Sequence, residues 1–153
     1  MRVVDILSQE LIVPQLRSTT KTDVLHELSQ QLAAHYPHIN AQSLLAVLLE
    51  RERLGTTAIG EGIAIPHGKL AGLKDVVAVF GRSSSGIDCQ SLDGALTRLF
   101  FLLVAPEDSA GVHLKALARV SRLLKDKAFR ERLLQGQSQA DLFRLISQED
   151  TKL

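Results

Sequence analysis

The chain has 153 residues, 45% of them hydrophobic and 23% charged, with a formal net charge of +1. That is the size of one domain with apolar residues enough for a core, and its charge balance neither favours disorder nor demands a polyanionic partner. One cysteine, Cys89, excludes an internal disulfide and a cysteine-built zinc cage. The opening MRVVDILSQE has no apolar signal core, and the longest apolar run, LFFLLVA at 99–105, falls far short of the ~20 residues of a membrane helix, so a cytoplasmic protein without membrane insertion is expected.

Thr20 followed by Asp23 reads as an N-cap, and Val24, Leu25, Leu28 and Leu32 then recur at helical spacing up to Pro37, predicting an amphipathic helix. Asn40 caps a second helix with Leu44, Leu45, Leu48 and Leu49 turned inward. ERER and Gly55 end it, which puts Arg51 and Arg53 in its last turn. After the glycine-rich GEGIAIPHGKL at 60–70 come two strand-like runs, VVAVF at 76–80 and RLFFLLV at 98–104. The second is apolar enough for a central strand, and SSSGIDCQSLDG between them is expected to turn. Gly111 precedes a helix carrying Leu114, Leu117, Ala118 and Leu124. DKAFRERLLQG and SQADLFRLI each offer an N-cap, Asp126 and Ser138, and helical spacing. The expectation is a single α/β domain over 1–153, a sandwich with a mixed β-sheet flanked by helices on both faces; this pattern does not give the strand order.

Several chemical candidates fail on spacing. A phosphate-binding P-loop needs four residues between its glycine and the Gly-Lys pair, then Ser or Thr; here Gly62 and Gly68 are separated by five residues and Leu70 follows Lys69. His35 and His38 bracket Pro37 with no Cys or acidic cluster beside them, and read as surface histidines. GRSSSG lacks the second glycine of a nucleophile elbow. Between Lys115 and Arg132 seven cations face two acids, and Lys115, Arg119 and Arg122 share one helix face, by default a solvated one and otherwise a docking face for an acidic or phosphorylated partner. With 4% aromatics and no nucleic-acid motif, no nucleic-acid role is expected.

His67 stands apart. A histidine in an apolar stretch is ordinarily a hydrogen-bonded structural residue. Here Pro66 fixes its own φ and restricts Ile65, while Gly60, Gly62 and Gly68 let other groups come close, a setting that suits a positioned nucleophile.

The run Glu52, six residues, Ile59-Gly60, two residues, Ile63-Ala64-Ile65-Pro66-His67-Gly68 resembles the active-site signature of the fructose/mannitol-type EIIA domains of the phosphoenolpyruvate-dependent phosphotransferase system. The likeness continues through LLERERLGTTAIGEG, GIDCQSLDG, LFFLLVAPED and VHLKALARVSRLL, most of the chain. The resemblance implies that His67 receives a phosphoryl group from the phosphocarrier HPr or its nitrogen-branch relative. His113, in an HL pair opening a helix, corresponds to a second family histidine and Arg51 to the arginine before the signature. No cofactor and no metal, magnesium included, are implied. Ala95 and Leu96 depart from the proline and valine usual after the family's DG pair.

Chemistry agrees with these roles. A neutral imidazole attacks through one nitrogen while a hydrogen bond at the other sets the tautomer, and cations or N–H groups aimed at the phosphoryl oxygens stabilise their charge. Which acceptor holds the far side of the His67 ring is not legible in the sequence. Length, the helix pair before the signature and PHGKL most resemble the nitrogen-regulatory EIIA branch, implying targets such as an ion transporter, a sensor kinase or a biosynthetic enzyme. The alternative is a sugar-specific EIIA that passes phosphate to an EIIB domain; a third reading is a binding module that is never phosphorylated.

Overall fold

The computed structural model describes residues 1–153. After two 3-10 turns and the short strand β1 (Ile12–Val13) come helices α1 (Lys21–His35) and α2 (Ala41–Arg53). Their starts follow from local chemistry: Thr20 accepts the Asp23 N–H at 3.2 Å and Asn40 that of Ser43 at 2.9 Å, each satisfying an otherwise unpaired first-turn donor. Strands β2 (Ala58–Gly60), β3 (Ile63–Ala64), β4 (His67–Leu70), β5 (Val77–Ile87) and β6 (Thr97–Pro106) follow. Helices α3 (Ala110–Lys125), α4 (Lys127–Gln135) and α5 (Gln139–Asp150) complete the chain. Asp126 and Ser138 cap α4 and α5 as expected.

The sheet runs β1-β5-β6-β3-β2, with β4 paired further along β6. β5 and β6 are antiparallel, whereas β3 and β4 run parallel to β6, so the sheet is mixed. Helices cover both faces, as register makes plain. Gly81 pairs with Phe100 and Gly68 with Val104, and paired residues share a face. Leu28 of α1 lies over Gly81 and Val47 of α2 over Gly68, so both helices pack on that face. His67, one residue out of phase, turns to the opposite face, where the α3 residue His113 meets it. β6 is buried at nine of its ten positions between the two layers, which accounts for its unbroken apolar run.

Three expectations fail in detail. The segment after VVAVF does not turn at SSSG: β5 continues to Ile87 through an irregularity between Arg82 and Ile87, with Gly86 at φ +82°, and the turn begins only at Asp88. On α3 the core takes His113, Ala116, Val120, Leu123 and Leu124, while Leu114 and Ala118 face solvent. This helix thus buries a different stripe from the one marked by Leu114 and Ala118. The expected basic face is also divided. Lys115 and Arg122 are exposed, but Arg119 donates from Nε to Asp150 Oδ1 at 2.9 Å, and buried Arg130 donates to the carbonyls of Leu124 and Lys125, closing the end of α3. Asp150, fully buried, also accepts the Val3 N–H at 2.7 Å and so ties the two ends of the chain together.

Candidate functional site

The site lies where the strand line beside β6 is interrupted. β3 and β4 would form one strand along β6 but for Ile65-Pro66, since Pro66 has no N–H to donate to a ladder. The chain stays in place because the Pro66 carbonyl accepts the Leu103 N–H at 2.9 Å and the Ile65 N–H reaches the Thr57 carbonyl at 3.1 Å. The Ile65 carbonyl, released from the ladder, accepts the Nδ1–H of His67 at 2.8 Å. This is the acceptor on the far side of the ring, and it leaves Nε2 as the nitrogen with a free lone pair.

Arg51 reaches that nitrogen from α2: its Nε donates to His67 Nε2 at 3.3 Å while Nη1 donates to the Gly55 carbonyl at 2.9 Å. The close approach depends on Gly68, since a Cβ there would lie 2.6 Å from Val47 Cγ1. Val47 and Arg51 are one helical turn apart and share a face, so the missing side chain at 68 lets α2 bring the guanidinium to the imidazole.

His113 completes the group from the first turn of α3, its ring centroid 5.5 Å from that of His67 and tilted by 51°. Its Nδ1 is buried without a hydrogen-bond partner. Alone among the five helices, α3 lacks a side-chain cap, because the Ser109 hydroxyl donates instead to the Pro106 carbonyl at 2.8 Å. Its first-turn N–H groups therefore stand uncapped beside His113, at the positive end of the helix dipole. Lys69, exposed, follows His67 at the same strand parity.

Burial is the main cause that pushes the His67 ring below the ordinary histidine pKa of 6.5; the bond to Ile65 opposes it, Arg51 lowers it further and Glu52 raises it. His113 is lowered by burial first, then by His67 and Lys69. Both rings are therefore neutral near pH 7. A neutral nucleophile with a fixed tautomer, flanked by a guanidinium and a second imidazole, is equipped to take up a transferable anionic group.

The structure thus brings together all three residues singled out in the sequence, His67, His113 and Arg51. His35 and His38 lie elsewhere, exposed around the end of α1, and Cys89 is buried. Two contributors carried weak signals. The Ile65 carbonyl was detectable only as the residue forced into extended backbone before a proline. Asp93 clamps the signature loop: its carboxylate accepts the N–H of Glu61 at 2.8 Å and that of Ala95 at 3.0 Å, which together with Ser91 holds it down to about 2 and supports Glu61 at φ 56°. The departure at Ala95 and Leu96 falls in this loop, where Ala95 still bonds to Asp93 through its N–H.

The model of the family described as phosphoenolpyruvate-dependent sugar phosphotransferase system, EIIA 2, matches residues 5–149. A nitrogen regulatory protein of Bradyrhizobium diazoefficiens is 44% identical over 133 residues, 87% of this chain and 86% of the relative. The fructose-specific EIIABC component of Bacillus subtilis is 35% identical over 150 residues, 98% of this chain but 24% of that longer protein. The crystal structure of nitrogen regulatory protein IIA-Ntr from Neisseria meningitidis superposes with a TM-score of 0.88 at 28% identity, over 94% of this chain and 98% of that one. With a family match running almost end to end and a close structural likeness to one of its solved members, the chain belongs to the EIIA type 2 family of the phosphotransferase system.

Proposed function

We propose that His67 Nε2 accepts a phosphoryl group from an HPr-like phosphocarrier, and that the protein acts as a nitrogen-regulatory EIIA whose binding to target proteins depends on that modification. The observation that carries this reading is the Nδ1–H···O bond to Ile65 at 2.8 Å, which reserves the Nε2 lone pair for attack beside Arg51. In the transfer a bond forms between His67 Nε2 and phosphorus while the bond from phosphorus to the donor's nitrogen breaks, and the electron pair leaves with the donor imidazole. Arg51, now released from Nε2, turns its donors to the phosphoryl oxygens, and His113 and the uncapped N–H groups of α3 face the same charge. The surroundings suit a protein donor. Leu54, just past Arg51, and Val112 and Leu114, on either side of His113, are exposed apolar side chains that a docking partner can cover.

The higher identity to a nitrogen regulatory protein supports the regulatory role over sugar uptake. In the alternative reading the phosphoryl group passes on to an EIIB domain, which the match to the EIIA portion of a fructose component supports. One experiment tests both. Incubated with phosphoenolpyruvate, enzyme I and an HPr-like carrier, the protein gains an acid-labile, base-stable phosphate; His67→Ala gains none, and Arg51→Ala labels on the order of a hundredfold more slowly, the usual loss for one charge-stabilising donor. Labelling of His67→Ala, or an Arg51→Ala rate within about twofold of the parent, refutes the assignment. Onward transfer of the label to an EIIB domain decides for the transport role.

A further inference from the structure

Glu52 follows Arg51 on α2 but bonds to Lys21 and Thr57 and to neither imidazole, and its side chain is 7% exposed. Three donors converge on its carboxylate: Lys21 Nζ at 2.7 Å from Oε1, the Thr57 N–H at 3.1 Å from the same oxygen, and the Thr57 hydroxyl on Oε2. Thr57 is the residue whose carbonyl accepts the Ile65 N–H at 3.1 Å, and Ile65 is the residue whose carbonyl holds His67 Nδ1. An unbroken line of hydrogen bonds therefore runs from Glu52, itself ion-paired with Lys21 at the start of α1, through Thr57 and Ile65 to the ring.

We propose that Glu52 is a positioning residue, which fixes the tautomer of His67 by anchoring Thr57 and, through it, Ile65. The proposal rests on His67 being the phosphoryl acceptor. Two features make the line stiff. Pro66 confines Ile65 to extended backbone, so its N–H and carbonyl cannot reorient independently. Glu52 grips Thr57 by both main chain and side chain, and Lys21, itself largely covered, balances the charge that burial would otherwise penalise. Where a histidine ligates a metal, loss of the group that orients it through its far nitrogen costs about 10- to 100-fold, and the lower end of that scale is expected for an imidazole held in the same way here.

The test separates this role from simple loop stabilisation. Proton–nitrogen correlation spectra of the imidazoles, recorded on the folded protein with no donor present, show the parent His67 as the Nδ1–H tautomer alone. Glu52→Ala shows a mixture of tautomers and is labelled by the HPr-like carrier about tenfold more slowly, with the concentration of carrier giving half-maximal rate unchanged. Glu52→Gln, which still accepts from Thr57, restores both the spectrum and the rate to within about threefold of the parent. A parent-like spectrum and rate in Glu52→Ala overturns the proposal, as does a Glu52→Gln variant as impaired as Glu52→Ala. If Glu52→Ala does not fold, Thr57→Val decides: loss of the hydroxyl bond alone shifts the His67 Nδ1 resonance and slows labelling about threefold, and no change in either overturns the proposal. Should the parent protein accept no phosphate at all, the functional reading fails while the spectra still report on Glu52.

Discussion

Replacing Gly68 with alanine puts a methyl group where the structure has no space for one. The new Cβ would lie 2.6 Å from Val47 Cγ1, where ordinary contact begins at 3.4 Å, an overlap of about 0.8 Å. Neither side can yield easily. A valine within a helix holds essentially one rotamer, and β4 is pinned to β6 in register from His67 against Leu103 to Leu70 against Pro106. The strain is relieved by moving α2 outward, and Arg51, one turn beyond Val47 on the same face, moves with it. A displacement of the size of the overlap stretches the Arg51 to His67 bond from 3.3 Å to about 4 Å, outside hydrogen-bonding range. Overpacking of this kind costs about 1–3 kcal/mol. Gly68→Ala is therefore expected to lower the urea midpoint by an amount equivalent to about 2 kcal/mol and to slow phosphoryl labelling by on the order of tenfold or more. The decisive measurement is the double variant. Trimming Val47 to alanine in the Gly68→Ala background makes room for the methyl group, and should recover both stability and rate, with a coupling of about 1 kcal/mol or more. If Gly68→Ala matches the parent, or if Val47→Ala adds its own cost instead of relieving the first, the close approach of α2 is not what places Arg51.

Because burial lowers the pKa of both His67 and His113, the unfolded chain takes up their protons more readily than the folded one. This contribution to stability is complete above the unfolded value near 6.5 and is lost as pH falls from there through the lowered folded values. The urea midpoint should accordingly fall between about pH 7 and about pH 5 by more in the parent than in a double His67→Gln, His113→Gln variant, and equal falls refute the shifts. Asp150→Ala leaves Arg119 and the Val3 N–H without their buried acceptor, and should cost about 3 kcal/mol in urea denaturation while labelling of the folded variant stays unchanged; an unaltered midpoint shows that the clamp between the chain ends contributes nothing.

The residues that made the site legible are those whose chemistry is local. Thr20, Asn40, Asp126 and Ser138 announce helix starts because a cap depends on donors two or three residues away, and all four do so here. Pro66 before His67 marks the break between β3 and β4 for the same reason. What the sequence withheld depends on pairing at long range. The two-residue strands β1 and β3 owe their existence to β5 and β6, and nothing in IV or IA alone specifies a ladder. SSSG reads as a turn by composition, yet the opposite strand and the bulge keep it extended. Gly68 could be read only as freedom of approach; that the approaching group is Val47, and that Arg51 arrives with it, is a property of the packed layers.

Arg51 gives the proposed switch its physical form. With the site unmodified, its Nε–H occupies the lone pair proposed to attack, so in that reading the guanidinium needs no distant motion to meet an arriving phosphoryl group; it exchanges a nitrogen acceptor for oxygen acceptors in place. A bound phosphoryl group then brings roughly two negative charges to a surface whose rim, Leu54, Val112 and Leu114, is apolar and exposed. A partner that buries this rim must also bury whatever charge lies at its centre. It therefore distinguishes the two states by the cost of desolvating that charge, without any change in the fold: an acidic or apolar surface is turned away by the modified form, and a surface carrying its own arginine or lysine is drawn to it.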